Sequence, residues 1–426
     1  MSWHRRKFLQ TLAASSASAI LPAISGTAFA ASMGKVVVIG GGFGGATAAK
    51  YIRMWNPNIE VTLVEPNTTF VSCPISNRVI GGTFSIADLT RKYTGLAAHG
   101  VKVVHDTVTD IDAEKREVRL AKGKGKLSYD RLIVAPGVDF MYETIPGLTT
   151  PDAQKKVLHG WKAGAQTLEL RQQLQSMKQG GVFAMHIPKA PYRCPPGPYE
   201  RASLVANYLK NHNPQAKLMV FDANPEVQSK KGLFTGVWAE RYKGILEYVP
   251  NADLKEVNAA TKEFKLDLQG AQKADVLNVI PPMRAGAIAQ KAKLVTVNDR
   301  WCGVDFLTYE STVAKNIHVI GDSISAAPGM PKSGHMANQH GKVCAAAVVA
   351  LMSGDKVNDQ PIIANTCYSF VNEAEVVHVA SVHKYDAAKK TMATVTGSGG
   401  LSPAPNTTEA YMAMGWAYNI MNDMLA

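Results

Sequence analysis

A β-branched run, Lys35-Val36-Val37-Val38-Ile39, breaks into glycines at Gly40, Gly42 and Gly45 and continues as an alanine-rich stretch through Tyr51-Ile52-Arg53. A second apolar run, Glu60 to Val64, ends on Glu65. Strand, glycine turn, helix, strand and acid follow one another in the order that a nucleotide-binding βαβ unit requires. The first two glycines permit a tight turn and close backbone approach to a pyrophosphate, and the third lets helix and strand pack. Glu65, about 20 residues after the last glycine, is placed to accept hydrogen bonds from an adenosine ribose. Such a unit commits the chain to a parallel sheet crossed by helices.

Two later segments extend the pattern. Tyr129-Asp130-Arg131-Leu132-Ile133-Val134-Ala135-Pro136-Gly137 resembles the strand and turn that close the first part of two-dinucleotide-binding flavoproteins. Asn316 to Val319 reads as a strand leading into Ile320-Gly321-Asp322, which resembles their second flavin motif, where the aspartate holds the ribityl chain. Together, in this order, they point to FAD rather than NAD. Between them, Gly181 to Ile187 reads as the first strand of a second unit, but a run from Pro188 to Pro198 containing Cys194 follows it instead of a glycine-rich loop. Prolines remove backbone donors and flexibility that a pyrophosphate loop needs, which argues against NAD(P)H as the reductant. The expected fold is therefore α/β, a glutathione-reductase-like flavoprotein with two Rossmann-type domains and a C-terminal α+β interface domain. Expected boundaries are a signal peptide at 1–30, the first part of an FAD-binding domain at 31–150, a second Rossmann-like domain without an NAD loop at 151–270, a return segment at 271–358, and a flavin-covering domain at 359–426. In the last, Tyr411, Met414, Tyr418, Met421 and Leu425 share a helical face and read as core or subunit interface.

The first 30 residues carry Arg5-Arg6 followed by Lys7-Phe8-Leu9, an apolar stretch from Thr11 to Ile24, and a small-residue pattern at Ala28-Phe29-Ala30. This predicts a twin-arginine export signal and a periplasmic location, with an ordinary secretory signal as the rival reading, because His4 and Gln10 depart from the usual pattern. The twin-arginine route carries folded proteins, so a cofactor can be loaded before export. The apolar stretch is shorter than the roughly 18 to 20 residues needed to span a bilayer, and no later run is long enough, so no transmembrane segment is expected. Removing the leader's three cations lowers the formal charge from +12 to about +9. That balance favours anionic partners or substrates but forms no stripe for nucleic acid.

Five cysteines, Cys73, Cys194, Cys302, Cys344 and Cys367, are too few for a disulfide scaffold, and their odd number leaves one unpaired or otherwise used. None begins a CxxCH sequence, so the chain cannot itself attach a c-type haem; HExxH and CxxC metal patterns are also absent. Cys73, in Thr69-Phe70-Val71-Ser72-Cys73-Pro74, follows the ribose acid and, in this fold, comes near the isoalloxazine ring; a buried structural cysteine is the other reading. Cys344 lies in an alanine-rich run where a packed core thiol is the default, and Cys302 has no assigned role.

The set Gly40/Gly42/Gly45, Glu65, Cys73-Pro74, Cys194-Pro195-Pro196 and Gly321-Asp322, behind an export signal, resembles the flavoprotein subunit of flavocytochrome c sulfide dehydrogenase over nearly the whole mature chain. That resemblance implies an 8α-S-cysteinyl FAD at Cys73 and a redox-active disulfide between Cys194 and Cys367 over one face of the flavin. It also implies a c-type cytochrome partner, usually dihaem, as the one-electron acceptor, and sulfide as substrate. Hydrosulfide is a nucleophile able to attack an accessible disulfide and release a thiolate beside the flavin. Glu200, six residues beyond Cys194, matches an acidic position near the family's disulfide and is a candidate proton acceptor; a solvated glutamate at a helix start is the alternative. Lys332, with Gly334 and His335, borders the flavin by position and is placed to stabilise an anionic reduced flavin, unless it faces solvent. A sulfide:quinone reductase and a flavoprotein-like assembly subunit with little turnover are the competing functions.

Overall fold

The computed structural model describes residues 32–122 and 125–426, so the leader read at residues 1–30 lies outside the described residues. Strands β1 (Lys35–Ile39), β2 (Glu60–Val64), β3 (Val101–Val104) and β4 (Arg131–Val134) form a parallel sheet in the order β4-β1-β2-β3. The four residues Val36 to Ile39 of β1 are all buried. A continuous apolar run is what a central strand needs when both faces of its sheet are covered. One cover is helix α1 (Phe43–Trp55), whose Ala46, Ala48, Ala49 and Ile52 are fully buried.

A second parallel sheet consists of β5 (Val182–Ile187), β6 (Lys217–Asp222), β7 (Leu246–Val249) and β8 (Val276–Val279), in the order β7-β6-β5-β8. Helix α2 (Gly197–His212) follows β5. The expected boundary at residue 270 is too early, because β8 pairs with β5 and completes this sheet. An antiparallel excursion spanning Leu254–Lys273 separates β7 from β8, and it hides that continuity in the sequence. The chain then returns to the first sheet, where β9 (Ile317–Val319) pairs parallel with β4.

Helix α3 (Gly334–Ser353) packs along α1. The Ser333 hydroxyl accepts the Met336 N–H at 3.0 Å and caps its start, and Gly354, at φ +75°, ends it. The last layer is an antiparallel sheet in which β10 (Ile362–Phe370), β11 (Val376–Asp386) and β12 (Thr391–Thr394) follow in order, with β13 (Gly400–Leu401) also paired to β11. Helix α4 (Thr407–Leu425) closes the chain. Its buried face is rotated from the expected stripe: Met421 and Leu425 of that stripe are buried, but Ala413, Ala417, Ile420 and Met424 complete the face, whereas Tyr411 is 81 % exposed. Alanines at the contact let the helix approach its neighbours closely, and this turns the larger Tyr411 and Tyr418 outward. The Lys50 ammonium of α1 donates to the Asn422 and Asp423 carbonyls at 3.3 and 3.0 Å; Asn422 also accepts the Ala426 N–H, and the Asp423 carbonyl is one that the helix end leaves free.

Candidate functional site

Open α/β sheets bind ligands outside the carboxyl ends of their strands, and the glycine loop lies at that end of β1. Gly40 has φ +96°, and a Cβ there would fall 2.3 Å from the Ala135 carbonyl oxygen; at Gly45 it would fall 1.9 Å from the Gly40 oxygen. The chain's own backbone therefore requires both glycines. Gly42 differs, because among the described residues no atom beyond its chain neighbours lies within 4 Å of where its Cβ would be. Its bareness opens the cradle to something other than protein. Beside it the buried Glu65 carboxylate accepts the Gly41 N–H at 2.8 Å and the Asn67 N–H at 2.9 Å, which fixes it at the tip of β2.

Asp322 lies beyond β9 in a single turn, Gly321–Ser323, and is only partly covered. Burial raises its pKa while Arg193 and Lys332 pull it down, and no group among the described residues donates a hydrogen bond to its carboxylate. A carboxylate without a protein donor, together with the open Gly42 cradle, fits the hydroxyl groups and pyrophosphate of a dinucleotide. Lys332 is buried rather than facing solvent. Its ammonium donates to the Asp322 carbonyl at 3.0 Å and to the Ile324 carbonyl, and lies 3.7 Å from the centre of the Trp301 ring. Burial lowers its pKa to about 8.

After β5, where a second nucleotide loop would stand, the chain runs through prolines, with a cis Ala190–Pro191 bond, to Cys194. Cys194 has φ +59°, a left-handed conformation that costs a non-glycine residue roughly 1–2 kcal/mol and recurs at functional sites. Its N–H donates to the Lys332 carbonyl at 2.8 Å, which fastens the loop leaving the second sheet to the segment returning to the first. The nucleotide role of this second unit is closed off as well. Asp222, the acid at the tip of β6, is fully buried and accepts from Tyr199 Oη at 2.8 Å, Tyr248 Oη at 2.9 Å and the Asn224 N–H at 2.9 Å. No lone pair of that carboxylate is left facing a ribose.

Cys367 arrives from β10. Asn365 Nδ2 donates to its Sγ at 3.3 Å, and Ser333 Oγ donates to Asn365 Oδ1 at 2.7 Å, so the residue that caps α3 also positions this thiol. Cys194 and Cys367 stand close enough to raise the Cys194 pKa electrostatically, and burial pushes both thiols up. Each keeps part of its surface open. All five cysteines are free thiols here, and Cys302 and Cys344 are fully buried in the core. Cys73 is partly open, and its Sγ accepts the Ala163 N–H at 3.5 Å. Just beyond it Ile75 has φ +73°, an outlier for a β-branched residue.

Glu200 is not the solvated helix-start residue of the alternative reading. It is buried in the first turn of α2, where Asn77 Nδ2 donates to Oε2 at 2.8 Å and the Phe370 N–H to Oε1 at 2.9 Å, and burial raises its pKa. Two basic residues escape sequence reasoning. Arg201, 1 % exposed, donates to Asn77 Oδ1 at 3.0 Å, the His159 carbonyl at 2.6 Å and Asn278 Oδ1 at 3.0 Å, and burial lowers its pKa to about 9. Lys230, 4 % exposed, reaches the Cys367 carbonyl at 2.9 Å. Both look like surface charges in the sequence, as the pairs Glu200-Arg201 and Lys230-Lys231, and no local signal separates them from solvated residues.

Three family models match. One describes the central part of the flavoprotein chain of flavocytochrome c sulfide dehydrogenase, at residues 167–281; one its flavin-binding part, at 359–425; and one the pyridine nucleotide-disulphide oxidoreductases, at 34–182. The flavoprotein chain of flavocytochrome c sulfide dehydrogenase from Chlorobaculum thiosulfatiphilum is 67% identical over 45 residues, covering 11% of this chain and 94% of that sequence. A mitochondrial sulfide:quinone oxidoreductase of Dictyostelium discoideum is 24% identical over 304 residues, and the match spans 68% of this chain and 65% of that protein's length. Sulfide:quinone oxidoreductase from Aquifex aeolicus superposes with a TM-score of 0.74 at 19% identity, covering 91% of this chain and 92% of that one, and so shares the fold. Among the described residues no helix is long and apolar enough to cross a membrane. The two family-specific matches and the 67% identity bear out the resemblance drawn from the motifs: the chain belongs to the family of flavocytochrome c sulfide dehydrogenase flavoprotein chains.

Proposed function

We propose that this chain is a FAD-dependent oxidoreductase that oxidises hydrosulfide through a Cys194–Cys367 disulfide and passes the electrons to a c-type cytochrome. The observation that carries the reading is the meeting of two part-open cysteines, one from the second sheet's loop and one from the C-terminal sheet, beside Lys332 and Asp322 of the flavin-side segment. Gly40, Gly42, Gly45 and Glu65 would hold the adenosine and pyrophosphate, Asp322 the ribityl chain, and Lys332 the ring. Cys73 would supply an 8α-S-cysteinyl link. When bound, FAD accepts electrons in pairs and releases them singly.

The chain's own residues carry the sulfur chemistry. Hydrosulfide attacks Cys194 Sγ; the disulfide breaks, Cys194 becomes a persulfide and Cys367 leaves as a thiolate. A second hydrosulfide removes the outer sulfur as disulfane, the shortest polysulfide, leaving two thiolates. Re-forming the disulfide from these thiolates releases two electrons, which bound FAD would accept. Glu200, whose pKa burial raises, would take the proton that the sulfur product sheds. Export by the twin-arginine route would place this reaction in the periplasm beside a dihaem partner. Quinone is the second reading for the acceptor, favoured by the 304-residue similarity to a sulfide:quinone oxidoreductase.

Anaerobic sulfide is expected to bleach the flavin of the purified protein, and a c-type cytochrome, but not a soluble quinone, to restore its colour. Failure of sulfide to bleach a flavin that dithionite bleaches would leave the assembly-subunit reading. Acid precipitation is expected to retain the yellow colour in the pellet through Cys73. Haem staining of native complexes tests the partner.

A further inference from the structure

Lys230 enters the interior on a left-handed turn, φ +55°, at the start of the helix Lys231–Arg241, and is 4 % exposed. Its ammonium donates to Ser369 Oγ at 2.7 Å, the Cys367 carbonyl at 2.9 Å and the Val377 carbonyl at 3.2 Å. All three acceptors are neutral, and among the described residues no carboxylate forms an ion pair with it. A buried cation whose hydrogen bonds all go to neutral acceptors carries a desolvation cost that those bonds alone do not balance. The ionisable groups that face it are Cys367 on β10, Glu200 on α2, Cys194 on the proline loop and Glu409 on α4, with the Phe234 ring 5.6 Å away. Of these, Glu200 is held by Asn77 and Phe370, and Glu409 accepts from Ser402 and stands 2.8 Å from His378 Nδ1. The remaining anions are those that sulfur chemistry would create.

We propose that Lys230 is the charge-stabilising residue of the sulfur site, whose ammonium holds the thiolate released at Cys367 when hydrosulfide opens the Cys194–Cys367 disulfide. The inference rests on the hydrosulfide reading above. In that step one S–S bond forms at Cys194, the Cys194–Cys367 bond breaks, and one negative charge moves from hydrosulfide to Cys367, toward Lys230; no electron acceptor enters. Preorganised charge aimed at where charge develops is an effective way to lower such a barrier. Burial lowers the Lys230 pKa to about 8, so the ammonium is lost as pH rises through that value, above neutrality where hydrosulfide already dominates.

Stopped-flow bleaching of the holoenzyme flavin by sulfide, followed across pH with dithionite as the control reductant, tests this. The wild-type rate is expected to fall as pH rises through about 8. Lys332 titrates in the same window, so variants must assign the fall. K230M is expected to slow sulfide bleaching by roughly tenfold to a hundredfold, with dithionite bleaching unchanged. K230R, charged throughout, is expected to stay within about threefold of wild type and to lose the alkaline fall. S369A deletes one acceptor of the ammonium and little volume, weakens the charged form, and is expected to move the fall to lower pH. Wild-type rates in K230M, or an alkaline fall unmoved in K230R or S369A, would overturn the assignment; where the two Lys230 variants do not fold, S369A decides. Wild-type flavin bleached by dithionite but not by sulfide would instead overturn the hydrosulfide reading itself.

Discussion

At the carboxyl end of β1 the chain turns on Gly40 and leaves Gly42 bare, while at the same place in the second sheet, after β5, it turns through prolines and presents Cys194. The acids that follow diverge in the same way. Glu65 at the tip of β2 accepts backbone N–H groups beside the glycine cradle, whereas Asp222 at the tip of β6 is consumed by Tyr199, Tyr248 and Asn224. One supersecondary unit thus serves as a cradle in the first sheet and as a thiol platform in the second. A βαβ unit delivers whatever its first turn carries to the strands' carboxyl ends, and the turn chemistry decides the use.

The largest effects expected from breaking this comparison lie in the first turn. G45A forces a Cβ against the Gly40 carbonyl, and the loss of about 3 kcal/mol or more is expected to show as little soluble protein. G42A meets no protein atom and leaves a φ of −76° that alanine accepts, so soluble, stably folded protein with depleted flavin absorbance is expected. Equal damage by the two substitutions would mean that Gly42 serves packing. A smaller effect is expected in the second unit. D222N removes acceptors for two tyrosine hydroxyls and is expected to cost about 1–2 kcal/mol in thermal unfolding, with sulfide bleaching unchanged. NADH is expected to bleach neither D222N nor wild type; rapid bleaching would contradict the closure of the second nucleotide site.

The smallest effect compares two buried histidines. Among the described residues neither ring nitrogen of His340 on α3 has a hydrogen-bond partner, and burial depresses its pKa to about 3; His186 on β5, bonded to the Ala252 carbonyl at 3.0 Å, is depressed to about 4. As pH falls below the unfolded value of 6.5, the unfolded chain takes up protons that the folded chain refuses. Stability is therefore present at neutrality and lost on acidification, by up to about 1.4 kcal/mol per pH unit for each group. Denaturant titrations between neutral and mildly acidic pH should show a flatter dependence of stability on pH for both H340F and H186F than for wild type. Unchanged slopes would show that neither imidazole is held neutral.

What the sequence revealed divides along the same line. Gly40, Gly42, Gly45 and Glu65 lie within one βαβ unit, where spacing alone determines which atoms meet, and Gly321-Asp322 adds a local turn after a strand. The proposed sulfur site draws on Cys194, Lys332 and Cys367, which distant segments of the chain bring together; no local pattern encodes it, and only the family resemblance paired the cysteines. Lys230 and Arg201 were illegible for a sharper reason. A charge is read as solvated unless its burial is known, and both are buried by contacts with distant segments, Lys230 with β10 and β11 and Arg201 with Asn77, His159 and Asn278. The rotated face of α4 follows from the same limit, because Ala413 and Ala417 carry no hydrophobic signal strong enough to outweigh Tyr411 and Tyr418.

The claim that the second unit's turn has become a thiol platform is tested most directly by anaerobic flavin bleaching in C194S and C367S beside wild type. The account predicts that sulfide bleaches wild type and neither variant, while dithionite bleaches all three. Sulfide bleaching of C194S at the wild-type rate would contradict it.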